Sequence, residues 1–298
     1  MEYWIEVAVC VPSEHVDPVS DVVREITGNG VIEEQELAAC PEGIAVKGYF
    51  LARAHSGRVI SALQQEITAV TGIKAPLTVT EIATRDWTEC YRQTHKILRI
   101  GKRFVLKPFW EEYAPGQGEL VIEFAPTLAF GCGTHPTTEA CLEYLEEYLV
   151  PGSTVYDVGT GSGILAIAAA LLGAGDVLAV DIDPVAVEGA SLSIAQNNLS
   201  DIVRVVEGSL LDGVQGRCDL MTANILAEIL YELFPSAIEK LVPGGLLIAS
   251  GIMETKEKEV TEAMLSAGFL LFERTSRRGW STLVGRKTGS SVDSSTCK

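Results

Sequence analysis

Three glycines and an aspartate stand out for their type and spacing. The stretch Val155–Pro184 reads VYDVGTGSGILAIAAALLGAGDVLAVDIDP. An apolar run leads into glycines at 159, 161 and 163, an Ala/Leu-rich run follows, and a second apolar run closes at Asp181, 22 residues after Gly159. A glycine turn between strand and helix presents loop and helix amides to a ligand at the carboxyl edge of a parallel sheet. A dinucleotide turn needs GxGxxG or GxGxxA, and here its last slot is Ile164, bulky and branched. A P-loop is excluded because no Lys-Ser/Thr pair follows the turn. A carboxylate at position 181 can accept hydrogen bonds from both hydroxyls of a ribose. A ribose site beside a turn not shaped for pyrophosphate points to an adenosine without phosphates. S-adenosylmethionine is such a ligand, and its ammonium and carboxylate suit the polar groups around Gly159 and Gly161. The alternative for Asp181 is a helix N-cap ahead of PVAV.

Asn224, in LMTANIL, follows the fourth strand of the same domain. Its amide can bond cofactor or substrate, or simply form a turn. Methyltransferases that act on planar base or amide nitrogens usually carry Asn-Pro-Pro-Tyr here, whereas this chain has NILA, which points away from nucleobases and glutamine amides. Upstream, APTLAFGCGTHPTTEACL places two glycines before Pro136, Thr137 and a helix beginning near Thr138. His135 is read as holding this loop rather than as a base, and no catalytic base is assigned. Seven cysteines form no CxxC pair, so neither a metal site nor a disulfide framework is expected.

The elements that must position these residues follow from periodicity. Residues 1–84 read strand, helix, strand, strand, helix, strand, the order of a ferredoxin-like sandwich. The segment contains no ionisable cluster suited to chemistry and is read as a docking domain. DWTECYRQTHKIL reads as a linker helix, placed at 85–100. RFVLKPFW and ELVIEF read as paired strands joined by the turn-forming APGQG. From about residue 137 helices and strands alternate, which argues a doubly wound, mostly parallel sheet. The last two strands, LLFERTS and WSTLVGRK, lie too close together for a parallel crossover and must be antiparallel. The domain at 101–288 is followed by a polar tail, 289–298, expected to be disordered.

Composition sets the outer bounds. The chain has 298 residues, 47% of them hydrophobic, and a net charge of -17. Residues 1–85 carry 6 basic and 12 acidic side chains, 86–118 carry 6 and 4, and the rest carry 11 and 24. An acidic body disfavours a nucleic-acid backbone and favours a cationic partner, although such charge also serves solubility alone. The basic stretch can touch a partner or be a solvated helix face. No apolar run is long enough to span a membrane, and MEYWIEVAVC lacks the basic region of a secretory signal. A cytoplasmic monomer is expected.

The motifs AFGCGTHPTT, DVGTGSGIL, VDIDP and NIL together resemble the bacterial ribosomal protein L11 methyltransferase family (PrmA type). The first is specific to that family, and the others are shared with many methyltransferases. The small N-terminal sandwich, DWTECYRQ and RFVLKPFW also look like the family, so the resemblance covers nearly the whole chain. It implies a class I S-adenosylmethionine-dependent methyltransferase domain, Rossmann-like with a seven-stranded sheet and an antiparallel last pair, behind an α+β ferredoxin-like domain. It implies cofactor contacts at Thr138, Gly159, Asp181 and Asn224. It further implies N-methylation of lysine ε-amines and the N-terminal α-amine of ribosomal protein L11. The chain departs from the pattern at Cys132, where the family usually has threonine. Competing readings are a methyltransferase for another protein or a small amine, an NAD-dependent oxidoreductase (opposed by Ile164), and a non-catalytic ribosome-binding protein with a relic cofactor fold, which Cys132 encourages.

Overall fold

The alternation of Ile5, Val7, Val9 and Val11 makes Tyr3–Val11 a half-buried strand, β1, with Val7 and Val9 inside. In the computed structural model, which describes residues 3–27, 31–35, 43–51, 56–83, 96–124 and 135–288, it opens the first of two units, Met1–His95 and Lys96–Lys298. The first unit continues with α1 (Val16–Thr27), β2 (Val31–Gln35), β3 (Ile44–Leu51), α2 (Ser56–Thr71) and β4 (Leu77–Ala83). The sheet order is β2-β3-β1-β4, antiparallel throughout, as the ferredoxin-like reading requires. The helices pack Val19, Val23, Leu63 and Ile67 onto it. Gly48 lets α1 approach β3 closely, since a Cβ there would lie 2.3 Å from Val23 Cγ1.

The second unit begins with a three-stranded sheet, β5 (Leu98–Ile100), β6 (Phe104–Pro108) and β7 (Leu120–Phe124). Two expectations are corrected here. The C-terminal end of the helix expected over 85–100 is a strand. Leu98 and Ile100 flank Arg99 with the two-residue period of β structure, and β5 pairs antiparallel with β6. The rest of that segment, to residue 95, lies outside the described residues, as does the tail 289–298. The strands read as joined by a turn do pair, but in parallel, Phe104 with Leu120 through Pro108 with Phe124. The residues between them, 109–119, therefore form a crossover rather than a hairpin. A turn signal in APGQG says that the chain bends, not where it returns.

The remaining elements are α3 (Pro136–Tyr148), β8 (Thr154–Val158), α4 (Ile164–Leu171), β9 (Asp176–Asp181), α5 (Pro184–Gln196), β10 (Val203–Glu207), β11 (Cys218–Asn224), α6 (Ala227–Lys240), β12 (Leu241–Met253), α7 (Glu257–Ser266), β13 (Phe269–Arg277) and β14 (Trp280–Lys287). The seven-stranded order is β10-β9-β8-β11-β12-β14-β13. Strands β8 to β12 run parallel, and β14 is antiparallel to both neighbours. Alternate residues feed two cores: Val155, Val177 and Ala179 on one face, Tyr156, Val158, Leu178 and Val180 on the other. The helix ILAIAAAL is apolar all round and buried over Ile164–Ala170, as such a helix must be. Cys141 and Cys218 are free thiols, whereas Cys10 is disulfide-bonded, so the expectation of a chain without disulfides does not hold at that position. No described helix is long and apolar enough to cross a membrane.

The free edge of β7 is closed by a side chain. Asn197, the C-cap of α5, accepts from the Glu123 N–H (2.8 Å) and donates to the Glu123 carbonyl (2.7 Å), as a neighbouring strand would. Removing both partners at once strands two backbone groups, each costing about 1–3 kcal/mol where water is excluded. Because Glu123 is half-buried, Asn197→Ala is expected to lower stability by about 2 kcal/mol in denaturant unfolding. An unchanged midpoint would show that the edge is held by other means.

Candidate functional site

The glycine turn leaves β8 at Val158 and cannot hold its own shape. Gly159, Gly161 and Gly163 all have positive φ (71°, 54° and 82°), a conformation that side chains resist. Space is short as well, since a Cβ on Gly159 would lie 2.3 Å from Ile225 Cγ2. Two carboxylates fix the turn. Asp157, the last polar residue of β8, is 1% exposed. It accepts from the Thr160 hydroxyl of the turn (2.7 Å) and from the Thr222 hydroxyl of β11 (2.6 Å). Burial pushes its pKa above the usual carboxylate range, opposed by hydrogen bonds from Thr160, Thr222 and the Ala166 amide. Asp181, at the end of β9, accepts from the Gly161 N–H (2.8 Å) through Oδ2 and from the Asp183 N–H (3.0 Å) through Oδ1.

The capping alternative for Asp181 does not hold. Helix α5 is capped by Asp183, whose Oδ1 accepts from the Val185 N–H at 2.9 Å. Asp181 is left half-buried at the carboxyl edge of the sheet, and each oxygen retains a lone pair beyond the amide it already accepts. That is the acceptor set that a ribose diol needs.

Helix α3 begins at Pro136, two residues before the expected start, with proline at its first position and His135 as N-cap. The His135 Nδ1 lies 2.7 Å from Thr137 Oγ1 and accepts from the Thr137 N–H at 3.4 Å. The histidine thus caps the entry to the helix, while the loop it was read as holding lies outside the described residues. Thr138, 1% exposed, accepts from Asn224 Nδ2 at 3.3 Å, which brings the ends of α3 and β11 together. Residues 125–134, including Cys132, lie outside the described residues.

Thr138, Gly159, Gly161, Asp181 and Asn224 all line one cavity of about 470 Å³, a volume within the range of small-molecule sites. Its other walls are largely apolar, with Val158, Ile164, Leu165, Val180, Ile225 and Leu226 among them. Sequence reasoning missed Asp157, although a carboxylate closing an otherwise apolar strand was a usable signal. It also missed Leu210, a lining residue with φ of 51°, and Glu232, one of the cavity's two carboxylates with Asp181. Their approach depends on long-range packing and leaves no local pattern. Cys141 of α3 is fully buried, and burial pushes its thiol up to about 12, so it stays protonated and unreactive.

The raised pKa of Asp157 has a defined sign. A carboxyl raised by folding contributes stability that is full below its unfolded pKa and lost as pH rises through the folded one. Asp157→Asn lacks this titration, so its stability relative to the native protein should improve as pH rises from acid to neutral. Asp157→Ala, which orphans several buried donors, should cost about 3 kcal/mol or more at every pH. Parallel pH–stability curves for the native protein and the Asn variant would refute the assignment.

Comparison with known proteins places the chain in a family. The family model described as "Ribosomal protein L11 methyltransferase (PrmA)" matches residues 3–288. A ribosomal protein L11 methyltransferase from Pelotomaculum thermopropionicum is 43% identical over 95% of this chain and 98% of its own length. One from Bacillus subtilis is 36% identical over 95% and 99%. A crystal structure of ribosomal protein L11 methylase from Lactobacillus delbrueckii subsp. bulgaricus superposes with a TM-score of 0.61 and 37% identity, covering 65% of this chain and all of that one. With its motifs, its seven-stranded sheet and its near full-length similarity in agreement, the chain belongs to the ribosomal protein L11 methyltransferase (PrmA) family.

Proposed function

We infer that this protein is an S-adenosylmethionine-dependent methyltransferase acting on ribosomal protein L11, at lysine ε-amines and the N-terminal α-amine. The observation that carries the reading is the single cavity shared by the glycine turn, Asp181, Thr138 and Asn224. Its residues fit an adenosine-based sulfonium. Asp181 has acceptor capacity for the ribose, the turn offers backbone to polar groups at its side-chain-free glycines, and apolar walls suit the base. Nothing in the turn replaces Ile164, where a pyrophosphate-binding turn needs a small residue.

S-adenosylmethionine supplies an electrophilic methyl on sulfur, and its displacement leaves a neutral thioether. The protein's own work is to hold that ligand, align an amine behind the methyl and keep the amine neutral. A lysine amine, with a pKa of about 10.4 in water, is almost wholly protonated at neutral pH. The apolar walls lower that value by disfavouring the ammonium. Thr138 and Asn224, joined to each other at the carboxyl edge, are the polar groups assigned to cofactor orientation.

Residues 1–84 are assigned to docking of the ribosomal protein, the segment 85–95 to a linker and 96–288, beginning with β5, to catalysis. A cationic ribosomal protein complements the net charge of -17. The enzyme is proposed to act as a cytoplasmic monomer without direct nucleic-acid contact.

Two measurements test these assignments. Asp181→Ala removes the ribose acceptor and one anchor of the turn, so S-adenosylhomocysteine should bind about 100-fold more weakly by calorimetry, the scale of a lost charged hydrogen bond or two. Affinity within threefold of native would place the ribose elsewhere. Deleting residues 1–84 should abolish methylation of L11, read by intact mass, while S-adenosylhomocysteine still binds. Normal methylation by the truncated enzyme would refute the division of labour.

A further inference from the structure

We propose that the tip of the β13–β14 hairpin positions Thr138 for the cofactor, with Trp280 as the positioning residue. The proposal rests on the cofactor reading above. Arg278 and Gly279 have φ of 51° and 79°, the two left-handed residues that a tight two-residue hairpin turn requires. The Gly279 carbonyl accepts from the Glu254 N–H at 2.8 Å, which ties the tip to the end of β12.

From this anchored tip three side chains reach the first turns of α3. The Trp280 ring meets the His135 ring edge-on, with centroids 4.8 Å apart. Arg278 donates to Glu139 at 2.5 Å, and Arg277 grips Glu143 with two bonds of 2.8 and 2.6 Å. The Arg278 and Arg277 side chains are 61% and 40% exposed, so each ion pair is weak by itself. Trp280 and His135 are half-buried, and their contact acts where it matters most. His135 caps α3, and its carbonyl accepts from the amides of Thr138 and Glu139, both at 3.0 Å. Thr138 in turn lines the cavity and meets Asn224. The contact path therefore runs from Trp280 through His135 to Thr138. Without the indole, the imidazole loses the surface that fixes its ring, the cap loosens, and the hydroxyl of Thr138 is no longer held at the cofactor site.

The test compares Trp280→Ala, Trp280→Phe and Arg278→Ala in the full chain. Trp280→Ala should bind S-adenosylhomocysteine about tenfold more weakly, the scale of one ligand hydrogen bond. Trp280→Phe, which keeps an aromatic edge, should stay within about twofold of native, and Arg278→Ala should lose about twofold, as an exposed ion pair implies. In ligand-free protein, hydrogen exchange at the Thr138 and Glu139 amides should be about tenfold faster in Trp280→Ala. A Trp280→Ala protein that melts earlier yet keeps native affinity and native exchange at these amides overturns the proposal. Should Trp280→Ala fail to fold, Trp280→Leu retains bulk without the aromatic edge, and native values there overturn it equally. Failure of the native protein to bind S-adenosylhomocysteine would sink the cofactor reading, while the exchange measurement would still decide the brace.

Discussion

The cofactor cleft depends on a turn that must leave β8 in a left-handed conformation at Gly159, Gly161 and Gly163. Glycine makes that conformation accessible but also leaves the turn without side chains to stabilise it. The stabilisation comes from two acids on neighbouring strands. Asp157 holds the turn from below through the Thr160 hydroxyl, and Asp181 holds it from the side through the Gly161 amide. Burying Asp157 is costly, and burial has already raised its pKa. Several convergent donors offset the cost and bind β8, β11 and the start of α4 into one unit. Asp181 has a double role, because the carboxylate that shapes the turn is also the one assigned to the ribose. Turn geometry and nucleoside recognition are therefore coupled through one side chain.

The walls of the cleft are fixed mainly by apolar packing behind them. The all-apolar α4 locks the turn's exit against one core, and the opposite core carries β11 and α6, which present Asn224, Ile225 and Leu226 to the cavity. Gly251 in β12 has φ of 81°, and a Cβ there would lie 2.3 Å from the Ile225 carbonyl oxygen. The β12 backbone thus presses directly against the segment that follows Asn224, and Ile225 in turn presses against Gly159. Strain and close approach are concentrated at the carboxyl edge, where an α/β sheet binds its ligand.

What was legible in the sequence is what local chemistry dictates. The spacing of Gly159, Gly161 and Gly163 encodes a turn, Asp181 closes an apolar strand, and the short gap before WSTLVGRK forces an antiparallel end to the sheet. Each of these is decided within a few residues. The parallel pairing of β6 with β7, the Asn197 side chain closing the β7 edge, and the Trp280–His135 contact are decided by which distant segments meet. A turn-forming APGQG is compatible with either direction of return. Nothing near Asn197 points to Glu123, and nothing near Trp280 names His135. Asp157 falls between the two cases. Its position in DVGTGSG was visible, but its role depends on Thr222, which lies on another strand.

The composition of the cleft also explains how amine methylation can proceed without an assigned base. Among the described residues lining it, the ionisable side chains are Asp181 and Glu232, with no histidine, lysine, cysteine or tyrosine. Asp181 is engaged with the Gly161 and Asp183 amides, and Asp157 and Cys141 are buried. Two carboxylates attract an ammonium but also stabilise it, which works against deprotonation, while the apolar walls work in favour. Magnitudes decide the outcome. Keeping a lysine neutral at physiological pH costs about 4 kcal/mol, three units of pKa at 1.36 kcal/mol each. Holding nucleophile and electrophile in line is worth about 7–11 kcal/mol in well-oriented reactions. Alignment alone exceeds the cost of deprotonation, so the demand on this fold is geometric. What it must supply is a turn, a diol acceptor and a threonine–asparagine pair held rigidly enough that an amine arriving in its rare neutral form finds the methyl already in line.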